Sequence, residues 1–445
     1  MQIMMNHATP RTPKKSKLLN DSLFVPYIVV LLLYFLGPVT FSVFYVEAAL
    51  WFITILILLK VSINTGKARA LYEPAPDLAH DRIIIKYYTY LSVPISAAAA
   101  YYVYWLYGQG TSVDVVLTNT GEVREITAGS DITKQIAAIF AYQAYGYIPI
   151  LLTKWRHRFP MYVNAMMAGA IVLMALAVVL QAGRTFFLVA GAIGYATFMV
   201  SSKVTKDANS AKGKGRVSNV LLYVGVGIAA IFGAVAIYLI GVQRVSSAEI
   251  ANTLHTADYR YFGATLKRIA PDASYFITVI FHYLVGPWSN FNIAIVSDTD
   301  FYRWSAGPFE AIAARFSDGY DSAFFGARAD NYKRYIMLGG QPTGWRTGFG
   351  NVLDWYGFLG MILYTIFIGY AAGRLLVKAR SSQSLIALLK AVWTITFLLM
   401  CLFYFPSDTI FWVNLAQIFL ITPLLVLIFG SRRQPAKLHH RHRLA

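Results

Sequence analysis

Long runs of apolar residues, separated by short polar segments, dominate the pattern along this chain. Ten of the runs have about the length at which an α-helix crosses the hydrocarbon core of a bilayer. They predict membrane helices at residues 23–43, 46–62, 84–107, 133–152, 160–181, 185–202, 218–241, 350–376, 384–404 and 409–430. The pattern therefore predicts an all-α polytopic membrane protein.

The predicted helices divide the chain into five parts. These are a basic tail (1–21), seven helices (22–241), a large loop (242–348), three helices (349–430) and a second basic tail (431–445). The loop contains one apolar stretch, residues 273–288, with the sequence ASYFITVIFHYLVGPW. Because sixteen residues are too few for a full span, we expect a re-entrant or interfacial helix there, in a loop that is otherwise mostly helical.

Composition and charge support the membrane class and orient the chain. The sequence is 57% hydrophobic and 13% charged, whereas an average soluble domain is roughly a quarter charged. The net charge of +18 is concentrated in short segments beside the apolar runs, at residues 11–17, 67–69, 154–158, 203–216, 378–380 and 432–443. Basic short loops favour the cytoplasmic side, so both tails are predicted to be cytoplasmic and the large loop extracytoplasmic. No nucleic-acid-binding motif accompanies these clusters, and we expect membrane lipids as partners.

Arg184 is the only Asp, Glu, Lys or Arg residue between Phe159 and Ser202. It falls at the predicted outer turn between two helices, where an arginine can reach the interface at low cost. Two interpretations remain open. Arg184 is either an interfacial anchor or an anion site whose planar guanidinium pairs bidentately with phosphate.

The large loop holds the other candidates for chemistry. Its arginines lie among aromatic residues and glycines, and surface salt bridges are the alternative to anion binding for each of them; the candidates are Arg303, Arg315, Arg328 and Arg346. His282 could act as a general base, or it could be a structural histidine. The pair Asp298 and Asp300 is too short a pattern to predict a metal site, and we expect no metal or other cofactor.

Three motifs together resemble the Wzy-type polymerases of bacterial surface polysaccharides. The first is QAGRTFFL (181–188), a small-residue turn with an arginine before an apolar helix. The second is YLVGPWSNFN (283–292), after the aromatic helix of the loop. The third is TGWRTGFGNVLDWYGFLG (343–360), where the loop returns to the membrane. Their order, the ten predicted helices and the late large loop extend the resemblance over nearly the whole chain.

The resemblance implies a GT-C-like membrane glycosyltransferase in the bacterial inner membrane. Such an enzyme transfers a growing glycan from undecaprenyl diphosphate onto a new lipid-linked repeat unit, and a separate chain-length regulator is a further partner that the family allows. By this resemblance Arg184 and Arg303 would stabilise the diphosphate, and His282 would assist the acceptor hydroxyl. The residues expected to bind substrate are Arg184, Arg328, Arg346, Tyr283, Trp288, Asn290, Asn292 and Thr343.

Two other functions remain alternatives. An O-antigen ligase-type transferase would share the architecture but place the glycan on a different lipid. A flippase or transporter would typically show inverted repeats, broken helices and acidic residues near mid-membrane. Here the predicted helices contain almost no acidic residues, which favours the glycosyltransferase.

Overall fold

The computed structural model describes residues 17–38, 46–70, 79–111, 132–181, 185–201, 261–296, 347–382, 384–403, 406 and 409–430. All regular secondary structure in these ranges is helical. The helices are α1 (Lys17–Leu36), α2 (Val46–Ala70), α3 (Ala79–Gly108), α4 (Ile132–Tyr142), α5 (Met161–Leu180), α6 (Thr185–Ser201), α7 (Tyr261–Ile269), α8 (Pro271–Val296), α9 (Gly348–Ser382), α10 (Leu385–Met400), α11 (Thr409–Ala416) and α12 (Thr422–Gly430).

Shorter helical elements complete the described chain. A 3₁₀ turn (Gln143–Tyr147), one α-helical turn (Ile148–Leu151) and a second 3₁₀ turn (Lys154–Arg158) connect α4 to α5. A π-helical turn, Gln417–Ile421, joins α11 to α12 without a break. The chain from Thr409 to Gly430 is therefore one continuous helix with a local change of winding.

Four helical segments among the described residues are long and apolar enough to cross a membrane: Val46–Ala70, Met161–Leu180, Trp355–Ser381 and Thr409–Phe429. Three shorter apolar helices, Leu23–Leu36, Phe187–Ser201 and Leu385–Met400, also coincide with predicted spans. The helical class is thus confirmed, and the apolar helices support a membrane-embedded protein. The number of ten spans stays a prediction, and the predicted span 218–241 lies outside the described residues.

Hydrogen bonds between distant helices show which helix ends lie together. Near the end of α9, the Arg380 guanidinium donates to the carbonyl oxygens of Met199 and Val200 at the end of α6. At the start of α3, Asp81 accepts hydrogen bonds from the Ser384 hydroxyl and the Leu385 amide at the start of α10. The same end carries a concentration of basic residues, Lys67, Arg69, Arg82, Lys86, Lys154, Arg156, Arg158, Lys378 and Arg380. We call it the basic end.

The opposite end brings the three sequence motifs to one level of the bundle. Gln181, from the first motif, contacts the Tyr102 hydroxyl near the end of α3. The Gly348 amide, from the third motif, donates to the Cys401 carbonyl at the end of α10 (2.8 Å). Helix α8, which contains the second motif, packs against α1, α2 and α9. We call this the motif end.

Helix α8 lies across the motif end of α1. Its Phe281 ring packs directly on Gly37, and its Asn292 donates to the hydroxyl of Tyr34. The two α8 residues are about 16 Å apart along their helix, but their partners on α1 are separated by only about 5 Å. Helix α8 therefore crosses α1 and does not run alongside it. It is also ten residues longer than the apolar stretch that predicts it, with 26 residues.

Helices α2 and α9 run parallel in close backbone contact. Gly369 and Gly373 of α9 form a G-x-x-x-G pattern that faces Ser62 and Gly66 of α2. A methyl group added to Gly373 would lie 2.1 Å from the Ile63 carbonyl oxygen, and one added to Gly66 would lie 2.2 Å from the Tyr370 carbonyl oxygen. Small residues allow this approach, which is the usual basis of helix association in a bilayer.

Candidate functional site

The second motif places an aromatic and amide cluster at the motif end. Trp288 is buried against Phe52 of α2, with ring centroids 4.2 Å apart and the planes nearly perpendicular, and it makes a second edge contact with Phe291. Its indole Nε1 is buried, and no described residue accepts a hydrogen bond from it. The cluster thus holds a rigid aromatic side chain that retains an unused donor.

Two asparagines of the same motif are buried beside this tryptophan. Asn290 is fully buried and Asn292 is 7% exposed. The Asn292 Nδ2 donates to the Tyr34 hydroxyl at 2.7 Å, which ties α8 to the end of α1. Buried amides are costly without such partners, so this bond fixes the orientation of the motif on the bundle.

The third motif begins with a helix cap. Thr347 is fully buried, and its hydroxyl accepts a hydrogen bond from the Gly350 amide at 3.0 Å. Threonine at this position satisfies an amide that the first turn of a helix leaves free. Gly348 then contacts Cys401 so closely that an added methyl group would lie 2.8 Å from the cysteine Cβ and Sγ. The start of α9 is therefore fixed against the end of α10.

Gly357 interrupts α9 within the third motif. Its φ of 68° and ψ of −171° are not helical, and this region of backbone space is open essentially only to glycine. The break separates a first segment, Gly348–Tyr356, from the long apolar segment that follows. Trp51 of α2 stacks on Phe358 directly after the break, with ring centroids 4.5 Å apart.

An apolar groove of about 570 Å³ extends from this break towards the basic end. It lies between α9 and the continuous helix that begins with α11. The third motif forms its upper wall with Val352, Trp355, Tyr356 and Gly360, and α9 lines it as far as Leu375. Beyond the break, the 16 residues of α9 from Gly360 to Leu375 correspond to about 24 Å, most of the thickness of a bilayer core. The other walls come from Thr394, Phe397, Trp412, Leu415, Ala416, Phe419 and Leu420.

The predicted site residues fall into three groups. Trp288, Asn290 and Asn292 are described and lie together at the motif end. His282 and Tyr283 lie on α8, but their side chains are outside the described residues. Outside them altogether are Arg184, Arg303, Arg328, Thr343 and Arg346, so their roles stay predictions. In the sequence Arg184 falls between Leu180, which ends α5, and Thr185, which begins α6 at the motif end.

The sequence does not indicate where several residues of the motif end lie in the fold. Tyr34 is one aromatic among many in an apolar run, and only the fold brings it to Asn292. Trp355 and Tyr356 belong to the third motif, yet their place on the groove wall depends on α11. Among the described residues no three His, Cys, Asp or Glu side chains are grouped as metal ligands.

Comparison with known proteins found no matching family model, no matching curated sequence and no matching solved structure.

Proposed function

We propose that this protein is a membrane glycosyltransferase that polymerises undecaprenyl-diphosphate-linked oligosaccharide units into a surface polysaccharide. The observation that carries the proposal is the groove, whose upper wall is built from the third motif. A long isoprenoid chain needs an apolar surface at membrane depth, and the groove offers one at the end where the motifs meet. Its volume lies in the range typical of ligand sites.

The proposed arrangement places the chemistry above the groove. With its tail in the groove, a lipid-linked donor has its diphosphate at the motif end, where α5 ends and α6 begins and between which Arg184 lies in the sequence. A guanidinium there would stabilise the charge that develops on the diphosphate as the sugar–phosphate bond breaks. Arg303, Arg328 and Arg346 are the further candidates for this role.

The acceptor is the second lipid-linked unit in the proposed reaction. Its sugar hydroxyl forms the new glycosidic bond and gives its proton to a general base, for which His282 is the candidate. Trp288, Asn290 and Asn292 are the candidates for contact with the sugar, because an aromatic ring and amide groups suit a sugar ring. The cluster is buried in the structure, so this contact requires the cluster to open. The leaving group is the undecaprenyl diphosphate of the donor. Its bond to the sugar is already activated, which provides what the transfer requires.

A product assay tests the proposal. Purified protein in detergent is mixed with an extract of lipid-linked oligosaccharides, and the glycans are separated on a gel. A ladder of multiples of the repeat unit is expected. A single shifted band on another lipid would replace the polymerase with a ligase, and no covalent product at all would contradict the enzyme proposal.

A pair of variants on α9 connects this assay to the groove. Ala371→Phe adds bulk inside the groove, where Ala371 is a lining residue, and should reduce the ladder. Leu363→Phe adds bulk on the same helix at a side chain that is 57% exposed and does not line the groove. It should leave the ladder unchanged, and equal activity of the two variants would contradict a role for the groove.

A further inference from the structure

Two irregular helical turns meet inside the bundle, and one of them also contributes Phe419 and Leu420 to the groove wall. One is the 3₁₀ turn Gln143–Tyr147, which Pro149 follows closely. Because proline has no N–H to donate to the Tyr145 carbonyl, the regular α-helical ladder cannot continue there. The other is the π-turn Gln417–Ile421. Single π-turns inside helices are rare and are frequently found at functional sites.

Close contacts hold the two turns together. Gly146, in the 3₁₀ turn, faces the side chains of Asn414 and Gln417, and an added methyl group would lie 3.1 Å from Asn414 Oδ1 and 3.9 Å from Gln417 Oε1. Asn414 Nδ2 donates to the Tyr142 carbonyl at 3.0 Å and to the Ile410 carbonyl at 2.8 Å. The next residue of the 3₁₀ turn, Tyr147, packs its ring against Tyr88 of α3.

Five polar atoms of this junction are buried, and no described residue completes a hydrogen bond with them. They are Tyr88 Oη, Tyr147 Oη, Asn414 Oδ1, Gln417 Oε1 and Gln417 Nε2. The Tyr87 hydroxyl lies beside the Gln417 amide, but no hydrogen bond of good geometry joins the two groups. The four residues that carry these five atoms are at most 1% exposed. Gln417 is the ninth residue of the 21-residue candidate span Thr409–Phe429. Bulk solvent therefore does not reach them.

The chemistry of the five atoms selects the ligand. They combine hydroxyl groups, acceptor oxygens and an amide donor, and none of the four side chains is charged. The Lys390 ammonium lies 5.5 Å from the Phe419 ring centroid, in contact with that ring. Water is a neutral ligand that donates and accepts, and a buried water makes about three hydrogen bonds to groups of this kind.

We propose that the junction of the 3₁₀ turn Gln143–Tyr147 and the π-turn Gln417–Ile421 is a binding site for ordered water in the membrane interior. The polar groups that no described residue satisfies lie on the two turns and on the Tyr88 side chain that packs against them, and each is costly to bury alone. Bound water supplies the missing partners and stabilises both turns. This inference does not depend on the proposed enzymatic function.

X-ray radiolytic labelling of the purified wild-type protein tests the site. Radiolysis of a bound water produces a hydroxyl radical that oxidises the nearest aromatic rings, which mass spectrometry locates. Tyr88 and Tyr147 should be labelled several-fold more than Tyr27, which is equally buried but donates its hydroxyl to the Leu398 carbonyl at 2.7 Å. Labelling of Tyr88 and Tyr147 at or below the level of Tyr27 would overturn the proposal.

A substitution at the π-turn tests the ligand set. Gln417→Leu removes two of the five polar atoms at similar volume, so labelling of Tyr147 should fall towards that of Tyr27. Tyr90→Phe is the matched control on α3, because Tyr90 is 75% exposed, and it should leave the labelling of Tyr147 unchanged. Undiminished labelling of Tyr147 in the Gln417→Leu protein would refute the assignment of water to this junction.

Discussion

A single carboxylate, that of Asp81, joins α3 to the start of α10. Its Oδ1 accepts hydrogen bonds from the Ser384 hydroxyl at 2.8 Å and the Leu385 amide at 3.0 Å. Asp81 is only 4% exposed, and its Oδ2 has no partner among the described residues. Burial raises the pKa of Asp81 above its ordinary value, although the bonds from Ser384 and Leu385 act in the opposite direction.

The raised pKa predicts how Asp81 affects stability as the pH changes. The contribution of Asp81 to the free energy of unfolding is fully favourable below the pKa that Asp81 has in the unfolded chain. This contribution is lost as the pH rises through the raised pKa of the folded protein.

At pH 7 we expect Asp81→Asn, which keeps an acceptor oxygen without the buried charge, to be more stable than Asp81→Ala. The alanine variant loses both hydrogen bonds, at a cost of about 1–3 kcal/mol. Thermal unfolding in detergent measures the order, and equal midpoints for the two variants would contradict it.

Arg184 carries the residue-scale prediction for the reaction. If its guanidinium binds diphosphate through two parallel hydrogen bonds, lysine retains the charge but loses the geometry. Arg184→Lys should therefore abolish the glycan ladder at an unchanged protein level on an immunoblot. Normal elongation by this variant would instead make Arg184 an interfacial anchor.

At the scale of helices, association depends on small residues more than on hydropathy. The contact between α2 and α9 is formed where Gly369 and Gly373 meet Ser62 and Gly66. An apolar surface gives no driving force for association inside a bilayer, so close backbone packing has to provide it.

This packing predicts different effects for two glycine substitutions. Gly373→Ala places a methyl group at the Ile63 carbonyl, which should destabilise the protein by about 1–3 kcal/mol because backbone atoms have to move. Gly194→Ala on α6 meets no atom within 4 Å and should not destabilise it. The midpoints of thermal unfolding in one detergent compare the two, and a Gly194→Ala protein that unfolds as early as Gly373→Ala would rule out this explanation.

The sequence predicts which segments are helical because long apolar runs are visible in hydropathy. The sequence predicts the ends of the helices less well, since contacts with residues distant in the chain decide where a helix begins and ends. Helix α3 begins at Ala79, five residues before the predicted span, where Asp81 meets α10. Helix α8 continues past Trp288 because Asn290 and Asn292 become buried against other helices. The groove was not predictable, since its walls come from helices distant in the chain.

At the scale of the molecule, the separation of a basic end from a motif end predicts how the protein is oriented. Basic residues of short loops remain in the cytoplasm, so the motif end should face the outside. An impermeant maleimide added to spheroplasts should label a Gln109→Cys protein and not a His157→Cys protein. Both positions are exposed, and the native Cys401 is buried and should not react. The reverse labelling pattern would invert the topology.

The central claim is that the groove holds the isoprenoid chain of a lipid-linked substrate. Photoaffinity labelling with an undecaprenyl diphosphate analogue that carries a diazirine on its tail tests this claim most directly. Cross-links to α9, α10 and the helix from Thr409 to Gly430 are expected at groove-lining residues, and unlabelled undecaprenyl phosphate should suppress them. Cross-links confined to residues outside the groove, or unaffected by the competitor, would contradict the account.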